Sequence, residues 1–307
     1  MGKTAFLFPG QGAQYAGMGR EFYDTYETAR EVFRLASEAT GLDVADLCFT
    51  ENDRLNITEY TQIAMLTCEV AILKVLEEQG ARADICAGLS LGEYGALAAA
   101  QVMKLEDLFR LIRSRGIFMQ EAYPVGGAMT AVLGLDADTI GRVCEDTEGI
   151  VSIANDNCPG QIVITGEEAA VQEASRKLAE AGAKRCVPLK VSGPFHSALL
   201  AGAGEKLAAE LAGVEVHDPV IPYICNVEAL PVTEASGVKE LLAKQVSGTV
   251  RWRESMLYML AHGVDTFIEI GPGKTLTGFL RKTDREAKGI NVETVADLEK
   301  VLEAIRI

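Results

Sequence analysis

The pattern of apolar and polar positions predicts a chain in which strands and helices alternate. Apolar residues recur at helical spacing in 19–39, and a second helix is expected at 59–78, ending before Gly80. Short, largely apolar runs at 3–8 and 266–270 are typical of buried strands. Strands that alternate with helices form a parallel sheet, so the pattern predicts an α/β fold. Further strands are expected at 83–87 and 222–225, further helices at 93–101, 105–121, 198–211, 237–246 and 253–262, then a helix to about 282 and a short C-terminal strand and helix.

The middle of the chain changes to a different order of elements. Residues 128–189 predict strand, helix, strand, strand, helix and strand, which is the order of a ferredoxin-like unit. Stretches that contain glycine and proline flank this region on both sides. We therefore expect a small inserted domain at 125–191, within a larger domain formed by 1–124 and 192–307.

The stretch 87–94, AGLSLGEY, lies between a predicted strand and a predicted helix. A strand, Gly-x-Ser-x-Gly and a helix form the nucleophile-elbow pattern, in which the serine sits on a sharp turn. Small residues on either side of Ser90 let the backbone bend and a substrate carbonyl approach. N–H groups at the start of the following helix suit an oxyanion. The pattern predicts Ser90 as a nucleophile, and a tight turn that carries a surface serine is the alternative.

Composition limits the classes to which the protein can belong. Of the 307 residues, 48% are hydrophobic and 24% are charged, which is typical of a globular protein with a sizeable core. The formal net charge of −15 argues against a nucleic-acid surface. No apolar run reaches the roughly 18 residues that a membrane span requires. The first apolar run is interrupted by Pro9 and Gly10, so we expect a buried strand there rather than a secretory signal.

The seven cysteines are odd in number and include no Cys-x-x-Cys pair. Most of them fall within predicted strands or helices, which argues against a disulfide framework and against a zinc site. The sequence therefore predicts a protein of the reducing cytoplasm, and it predicts neither a metal nor a cofactor.

Three histidines are available as a general base. His262 is expected at a helix end and His217 in an exposed loop. His196 lies between a predicted strand and a predicted helix, and loops at the carboxyl ends of strands commonly carry functional groups. A single histidine is more often structural, but Ser90 and His196 together make a chemically complete pair of nucleophile and base.

Two glycine-rich stretches invite a nucleotide-binding interpretation that their spacing does not support. The stretch 10–14 is followed by Tyr15, where a dinucleotide site requires a third glycine. If 271–275 were the end of a P-loop, the first glycine of that motif would fall at 268, which is Ile268. The loop at 10–14 can instead donate a backbone N–H to an oxyanion. Arg115 is expected to be exposed on composition alone. If it is buried, its planar guanidinium suits a carboxylate.

Several motifs follow one another along the whole chain. They are FPGQGAQ at 8–14, GLSLGEY at 88–94, RG at 115–116 with MQ at 119–120, NCPGQIVITG at 157–166, VSGPFHS at 191–197, Gln245 ahead of VRW at 250–252, and EIGPGK at 269–274. By these motifs the chain resembles the malonyl-CoA:acyl-carrier-protein transacylases of dissociated (type II) fatty acid synthesis. The resemblance implies an α/β-hydrolase-like large domain with a ferredoxin-like insert. One departure is Leu89, where many relatives have histidine.

The resemblance also implies roles for individual residues. Ser90 would be the nucleophile and His196 the base that takes its proton. The backbone N–H groups of Gln11 and Leu91 would form the oxyanion hole. In this family no carboxylate completes a triad. A backbone carbonyl near Gln245 orients the histidine instead, and the Gln245 side chain lies in the site.

The substrates implied by the resemblance are malonyl-CoA and holo acyl carrier protein. Malonyl-CoA would acylate Ser90, and the phosphopantetheine thiol of the carrier protein would then take the malonyl group, in a ping-pong reaction. Arg115 would hold the malonyl carboxylate, and acetyl-CoA would leave it buried and unpaired. Phe195 resembles the aromatic residue of related domains that prefer malonyl to methylmalonyl units. Candidate docking residues for the acidic carrier protein, with a solvated charged face as the alternative, are Lys184, Arg185, Lys190, Arg281, Lys282 and Arg285.

Two other functions stay open from the sequence. An esterase or thioesterase would use the same elbow, and many carboxylates between Ser90 and His196 could supply its acid. A buried Arg115 would distinguish the transacylase, because a simple esterase has no use for it. A non-catalytic subunit that only docks carrier proteins would be expected to have lost at least one of these residues or Gln245.

Overall fold

The computed structural model describes residues 2–191 and 193–305 of the chain. The strands in these residues are β1 Lys3–Phe8, β2 Ile85–Gly88, β3 Gly127–Leu133, β4 Val151–Cys158, β5 Gln161–Glu167, β6 Arg185–Pro188, β7 Tyr223–Ile224, β8 Pro231–Val232, β9 Val264–Ile270 and β10 Lys288–Val292. The α-helices are α1 Arg20–Thr25, α2 Glu27–Thr40, α3 Val44–Phe49, α4 Thr58–Glu78, α5 Glu93–Ala99, α6 Leu105–Ala122, α7 Ala137–Glu145, α8 Glu168–Glu180, α9 Ala201–Ala212, α10 Val238–Gln245, α11 Trp252–Ala261, α12 Thr275–Thr283 and α13 Val295–Ile305.

Within the described residues the strands form two sheets. The larger sheet has the order β10-β9-β1-β2-β7-β8, and its neighbours are parallel except for the β7–β8 pair. The smaller sheet has the order β4-β5-β3-β6 and is antiparallel. The protein is therefore a mixed α/β protein with a central parallel sheet, as the alternation of strands and helices predicted.

The elements agree with the sequence pattern apart from a few short ones. The helix predicted at 19–39 is two helices, α1 and α2, because Tyr26 between them has an extended backbone with φ −117° and ψ 128°. α3 and β8 span few residues, so their periodicity carries little signal. α4 ends as expected: Gly80 has φ 88°, and its N–H donates to the Glu77 carbonyl at 3.1 Å.

β1 shows how the larger sheet carries a core on both faces. Phe6 and Phe8 pack into the cluster that contains the apolar residues of α4, whereas Ala5 and Leu7 pack into the cluster that contains Trp252 of α11. Successive side chains of a strand point to opposite faces, so one strand serves both clusters. A sheet buried on both faces leaves the carboxyl ends of its strands as the edge where functional groups can meet.

Main-chain contacts join the smaller sheet to the segment before α11. The Asp156 N–H donates to the Val250 carbonyl at 3.0 Å, and the Val250 N–H donates to the Ala154 carbonyl at 2.8 Å. Arg253 Nε lies 2.8 Å from Asp156 Oδ2. These bonds hold β4 of the smaller sheet beside the segment that leads into α11. The predicted domain boundary at residue 192 lies outside the described residues.

Six of the cysteines are buried, and Cys186 is partly exposed. All seven lie in the described part of the chain, and all are unpaired. Burial raises the pKa of each thiol, which keeps it protonated and unreactive. Among the helices of the described residues, none combines the length and apolar character that a membrane crossing requires.

Candidate active site

The turn after β2 holds Ser90 at the carboxyl edge of the larger sheet. Ser90 has φ 56°, in the left-handed region that side chains rarely adopt. A Cβ at Gly88 would lie 1.8 Å from the Gly92 carbonyl oxygen, and a Cβ at Gly92 would lie 2.2 Å from the Phe8 carbonyl oxygen. No side chain fits at either position, so glycine on both sides of the serine is a steric requirement of the turn.

Asn226, which follows β7, braces this turn from the neighbouring strand. Its Oδ1 accepts the Ser90 N–H at 2.7 Å, and its Nδ2 donates to the Gly88 carbonyl at 2.7 Å. β7 runs parallel to β2, so the two strands end at the same edge of the sheet. A strained conformation persists only when its surroundings fix it. No motif or spacing indicated Asn226 in the sequence.

Ser90 and His196 form the predicted pair. Ser90 Oγ lies 2.7 Å from His196 Nε2. His196 Nδ1 lies 2.9 Å from the Gln245 carbonyl oxygen and 3.1 Å from that of Gly248. A carbonyl oxygen only accepts hydrogen bonds, so we assign the ring proton to Nδ1, which leaves Nε2 as the acceptor for the serine hydroxyl.

The environment keeps this histidine neutral. His196 is buried, at 3% exposure. Its pKa is lowered to about 4, by burial first and by the charge of Arg115 second, while the bonds to the Gln245 and Gly248 carbonyls act in the opposite direction. A neutral imidazole at pH 7 can accept a proton, as a general base must.

The structure corrects the reason for expecting His196 at this edge. The sequence suggested that His196, like Ser90, follows a strand of the sheet that carries the site, but the strand before His196 is β6, which belongs to the smaller sheet, so that reason is wrong. The histidine reaches the serine because the chain passes from the smaller sheet back to the larger sheet between β6 and α9. The other two histidines are as predicted: His217 is exposed, and His262 is the exposed cap at the end of α11.

Arg115 of α6 is buried, at 1% exposure, so the expectation from composition that it is exposed is wrong. Its Nη2 lies 3.2 Å from Ser90 Oγ and 2.9 Å from Gln245 Oε1, and its Nη1 lies 2.7 Å from Gln62 Oε1. Arg115 takes part in none of the salt bridges between described residues. A guanidinium stays protonated even when buried, so a positive charge with neutral partners lies beside the Ser90 hydroxyl.

Two glutamine side chains hold that charge. Gln62 of α4, which the sequence did not indicate, accepts from one guanidinium nitrogen, and Gln245 accepts from the other. Gln245 Nε2 donates to the Ser90 carbonyl at 2.8 Å and to Glu93 Oε2 at 2.8 Å. Gln245 therefore contacts the arginine with its side chain and the histidine with its main chain.

A cavity of about 640 Å³ is lined by Gln62, by residues of the turns that follow β1 and β2, and by residues of the smaller sheet. Ser90 and His196 lie in its wall, together with Gln11 and Leu91. Phe195, at 6% exposure, adds an aromatic side chain to the same wall. Met129, Asn155, Asn157 and Val163 of the smaller sheet line the cavity from the other side. A cavity of this volume can hold a small-molecule ligand in contact with Ser90.

Comparison with known proteins identifies the fold and the family. Residues 5–302 match the family described as acyl transferase domain. The malonyl CoA-acyl carrier protein transacylase of Bacillus subtilis (strain 168) is 44% identical over 311 residues, covering 100% of this chain and 98% of that protein. The crystal structure of malonyl CoA-acyl carrier protein transacylase from Clostridium perfringens ATCC 13124 has a TM-score of 0.96 and 44% identity, over 99% of this chain and 97% of that one.

A further similar structure includes a partner. It is PlMCAT:AntF, a type II PKS acyl-carrier protein in complex with its malonyl-transacylase. It has a TM-score of 0.95 and 39% identity, and the match covers 98% of this chain and 99% of that one. Identities of this size over whole chains extend the similarity beyond the fold to the family.

Proposed function

The chain is an acyltransferase of the acyl transferase domain family, and we propose that it transfers the malonyl group of malonyl-CoA to the phosphopantetheine thiol of acyl carrier protein. The observation that carries this proposal is the buried Arg115 guanidinium, 3.2 Å from Ser90 Oγ and bonded to two amide oxygens. An acyl group on Ser90 that ends in a carboxylate can pair with this charge. An acetyl group would leave the guanidinium without an anion in direct contact. The names of the similar proteins support the same substrates.

The first half-reaction acylates the serine. His196 Nε2 takes the hydroxyl proton while Ser90 Oγ attacks the thioester carbonyl of malonyl-CoA. The carbonyl oxygen becomes an oxyanion, for which the N–H groups of Gln11 and Leu91 are the proposed donors; in related chemistry one such donor contributes about 2.7–4 kcal/mol. The Ser90 N–H is directed at Asn226 Oδ1 and does not serve this purpose. The C–S bond then breaks, and His196 returns its proton to the CoA sulfur.

The second half-reaction reverses these roles. The phosphopantetheine thiol enters the cavity and gives its proton to His196 Nε2. The thiolate attacks the carbonyl of malonyl-Ser90 and forms the new thioester. The C–O bond to Ser90 breaks, and the histidine returns the proton to the serine oxygen. Each half-reaction begins and ends with a neutral histidine, which suits the lowered pKa of His196.

Arg115 and Phe195 are the proposed determinants of the acyl group. Arg115 selects for a carboxylate because a buried guanidinium without an anionic partner is costly. Phe195 occupies the cavity wall beside His196, where its ring limits the room for a branched acyl group. Gln245 supports both functions, through its side chain to Arg115 and its carbonyl to His196.

The hydrolase alternative is less well supported. An esterase triad requires a carboxylate at the second histidine nitrogen. His196 Nδ1 instead has the carbonyls of Gln245 and Gly248 as its partners. A non-catalytic docking subunit would require neither the 2.7 Å contact between Ser90 and His196 nor a buried Arg115.

The finer organisation of the chain is part of the proposal. We describe 1–124 with 192–307 as an α/β-hydrolase-like domain, on the strength of the elbow after β2. We describe 125–191 as a ferredoxin-like insert, on the strength of its β-α-β-β-α-β order and its four-stranded antiparallel sheet. The unpaired thiols support a location in the reducing cytoplasm, where fatty acid elongation would use the product.

The carrier protein is proposed to dock at the cavity mouth. Lys190 is exposed and lines the cavity, so it lies where an incoming acidic protein would approach. Other exposed basic residues available for that contact are Lys184, Arg185, Arg281, Lys282 and Arg285.

Intact-protein mass spectrometry tests the proposed function. The protein is mixed briefly with malonyl-CoA, with acetyl-CoA as the comparison and S90A as the control. A malonyl adduct is expected on the wild type but not on S90A, and added holo carrier protein should discharge it. Release of CoA without an adduct or transfer would indicate a hydrolase. Neither adduct nor release would indicate a docking subunit.

A further inference from the structure

Glu93, the residue that begins α5 immediately after the elbow, is a buried carboxyl group that the proposed mechanism does not use. It is fully buried, and its Oε2 accepts the Gln245 side-chain amide at 2.8 Å and the Asn226 N–H at 3.1 Å. Its Oε1 has no hydrogen-bond partner among the described residues. We infer that Glu93 is a positioning residue that balances the charge of Arg115 in the empty site, and that it takes up a proton when a substrate carboxylate binds Arg115.

The contacts of Gln245 connect the two groups. The Gln245 amide accepts from Arg115 Nη2 at 2.9 Å through Oε1 and donates to Glu93 Oε2 through Nε2. The orientation of this amide is determined by its partners, because a guanidinium only donates and the Ser90 carbonyl, its third partner, only accepts. The amide dipole is therefore aligned between the cation and the carboxyl group, and Glu93 acts on Arg115 through it.

A counter-charge is needed because Arg115 is buried. Its direct acceptors, Gln62, Gln245 and Ser90, are all neutral. Uncompensated charge in a protein interior is strongly unfavourable, so an ionised Glu93 stabilises the empty site. A bound malonyl carboxylate would supply a closer negative charge. Two anions then compete for one cation, and the more distant Glu93 carboxylate is disfavoured.

The protonation state of Glu93 is balanced between opposing effects. Burial raises its pKa, the bonds from Gln245 and Asn226 and the charge of Arg115 lower it, and the net result is a pKa of about 7. When a substrate carboxylate neutralises Arg115, the charge of Arg115 no longer lowers the pKa of Glu93. That pKa therefore rises, and Glu93 takes up a proton at neutral pH. The surrounding groups do not compete for that proton. Burial raises the pKa of Tyr94, Tyr223 and Cys225, which stay neutral, and it lowers the pKa of His196 to about 4.

The consequence is a coupling between substrate binding and pH that depends on the acyl group. This inference rests on the proposed function, because it requires a substrate that carries a carboxylate. Affinity for malonyl-CoA should fall as the pH rises above 7, by roughly tenfold between pH 7 and 8.5, because the proton becomes harder to acquire. Affinity for acetyl-CoA should lack this dependence, since the acetyl group brings no charge to Arg115.

The test is calorimetric titration of the S90A protein with malonyl-CoA and with acetyl-CoA, in buffers of different ionisation enthalpy. S90A prevents acylation, so binding alone is measured, and the phosphates of CoA are common to both ligands. Uptake of a fraction of a proton is expected at pH 7 with malonyl-CoA, because a group with a pKa of about 7 is only partly protonated there before the substrate binds. Little or no uptake is expected with acetyl-CoA.

A matched pair of second substitutions identifies the group. E93Q keeps an oxygen for the Gln245 and Asn226 donors but cannot ionise, so the uptake should disappear and the affinity for malonyl-CoA should become independent of pH. E121Q, an exposed glutamate on the helix that carries Arg115, should leave the uptake unchanged. Equal uptake for the two ligands, or uptake that persists in E93Q, would overturn the inference.

The outcomes separate this inference from the proposed function. If E93Q does not fold, the comparison of the two ligands on S90A still decides the question, because equal uptake overturns the inference. A wild-type protein that forms the malonyl adduct without proton linkage refutes the role of Glu93 alone. A protein that neither binds malonyl-CoA nor forms the adduct refutes the proposed function itself.

Discussion

Ser90 and His196 share a left-handed backbone conformation, with φ 56° and φ 60°, and their side chains meet with Oγ 2.7 Å from Nε2. Such conformations cost roughly 1–3 kcal/mol each and persist only where neighbouring groups enforce them. Asn226 braces the turn at Ser90, and Ser197 Oγ donates to the Pro194 carbonyl at 2.6 Å across the turn at His196. The short contact between Ser90 and His196 therefore depends on groups to which the proposed mechanism gives no chemical role.

Substitution of a glycine beside the serine should disrupt the site. A Cβ at Gly92 would lie 2.2 Å from the Phe8 carbonyl oxygen and 2.6 Å from the Pro9 carbonyl oxygen, so the backbone must shift. We expect G92A to lower the free energy of unfolding by roughly 1–3 kcal/mol and to lower kcat/KM for malonyl transfer at least tenfold. Urea denaturation and initial rates measure the two effects.

The matched control is G141A, in the middle of α7. A Cβ there meets no atom within 4 Å, so removal of the flexible glycine should raise stability by roughly 0.5–1 kcal/mol. The rate should stay at the wild-type value. A G92A protein with wild-type stability and rate would contradict the steric account of the elbow.

Arg115→Lys should reduce the preference for malonyl-CoA. Lysine keeps the charge but lacks the planar fork that reaches Gln62, Gln245 and a substrate carboxylate together. Loss of a buried charge-paired contact costs roughly 2–5 kcal/mol, which corresponds to at least about a 30-fold fall in kcat/KM for malonyl-CoA. Values of kcat/KM for malonyl-CoA and acetyl-CoA, measured side by side, give the selectivity.

The neighbouring Arg113→Lys is the control for that experiment. Arg113 lies on the same helix and pairs with Glu59 at 3.1 Å, away from the serine. The Arg113→Lys substitution should leave the preference for malonyl-CoA over acetyl-CoA unchanged. If Arg115→Lys lowered the two kcat/KM values by the same factor, the arginine would support the site generally and would not recognise the carboxylate.

Gln62→Glu should make Arg115 unavailable to substrate. The new carboxylate would lie where Gln62 Oε1 now accepts from Nη1 at 2.7 Å, and it would pair permanently with the guanidinium. We expect KM for malonyl-CoA to rise roughly tenfold or more, by analogy with the loss of other buried charge pairs. Steady-state kinetics with Gln62→Met, which has similar volume and no charge, provide the comparison. An unchanged KM in Gln62→Glu would be inconsistent with a carboxylate-binding Arg115.

The acid limb of the activity should lie well below the usual histidine range. Burial lowers the pKa of His196 to about 4 from its usual 6.5, so the base stays neutral, and Ser90 acylation should hold its plateau as the pH falls through 6.5. Quenched single-turnover acylation between pH 4 and 8 measures this limb. A midpoint near pH 6.5 would show that the histidine is not desolvated as described.

The same shift predicts how stability depends on pH. Because the pKa of His196 is lower in the folded chain, the unfolded chain binds more protons between pH 4 and 6.5. The contribution of neutral His196 to the free energy of unfolding is complete above pH 6.5 and is lost as the pH falls toward 4. The free energy of unfolding, measured by urea denaturation across this window, should fall less steeply in His196→Gln.

Local pattern was sufficient for most of the elements. Three signals depend only on near neighbours along the chain: the helical and strand periodicities, the glycines at 88 and 92, and the turn-forming stretches. From these signals the sequence predicted the parallel sheet, the elbow and the β-α-β-β-α-β order. It failed where elements are short or where one extended residue, Tyr26, divides a helix. In those places backbone conformation is decided by contacts more than by propensity.

The sequence by itself determined which residues could react: a serine on a strained turn, few histidines and one family of motifs. Only the tertiary structure decided what surrounds them. Arg115 is buried and not exposed, because Gln62, 53 positions away, and Gln245, 130 positions away, accept its hydrogen bonds. Asn226 reaches Ser90 across 136 positions. Contacts between residues so far apart in the chain have no periodicity to reveal them, and burial changes the pKa of a group only once the fold removes its water.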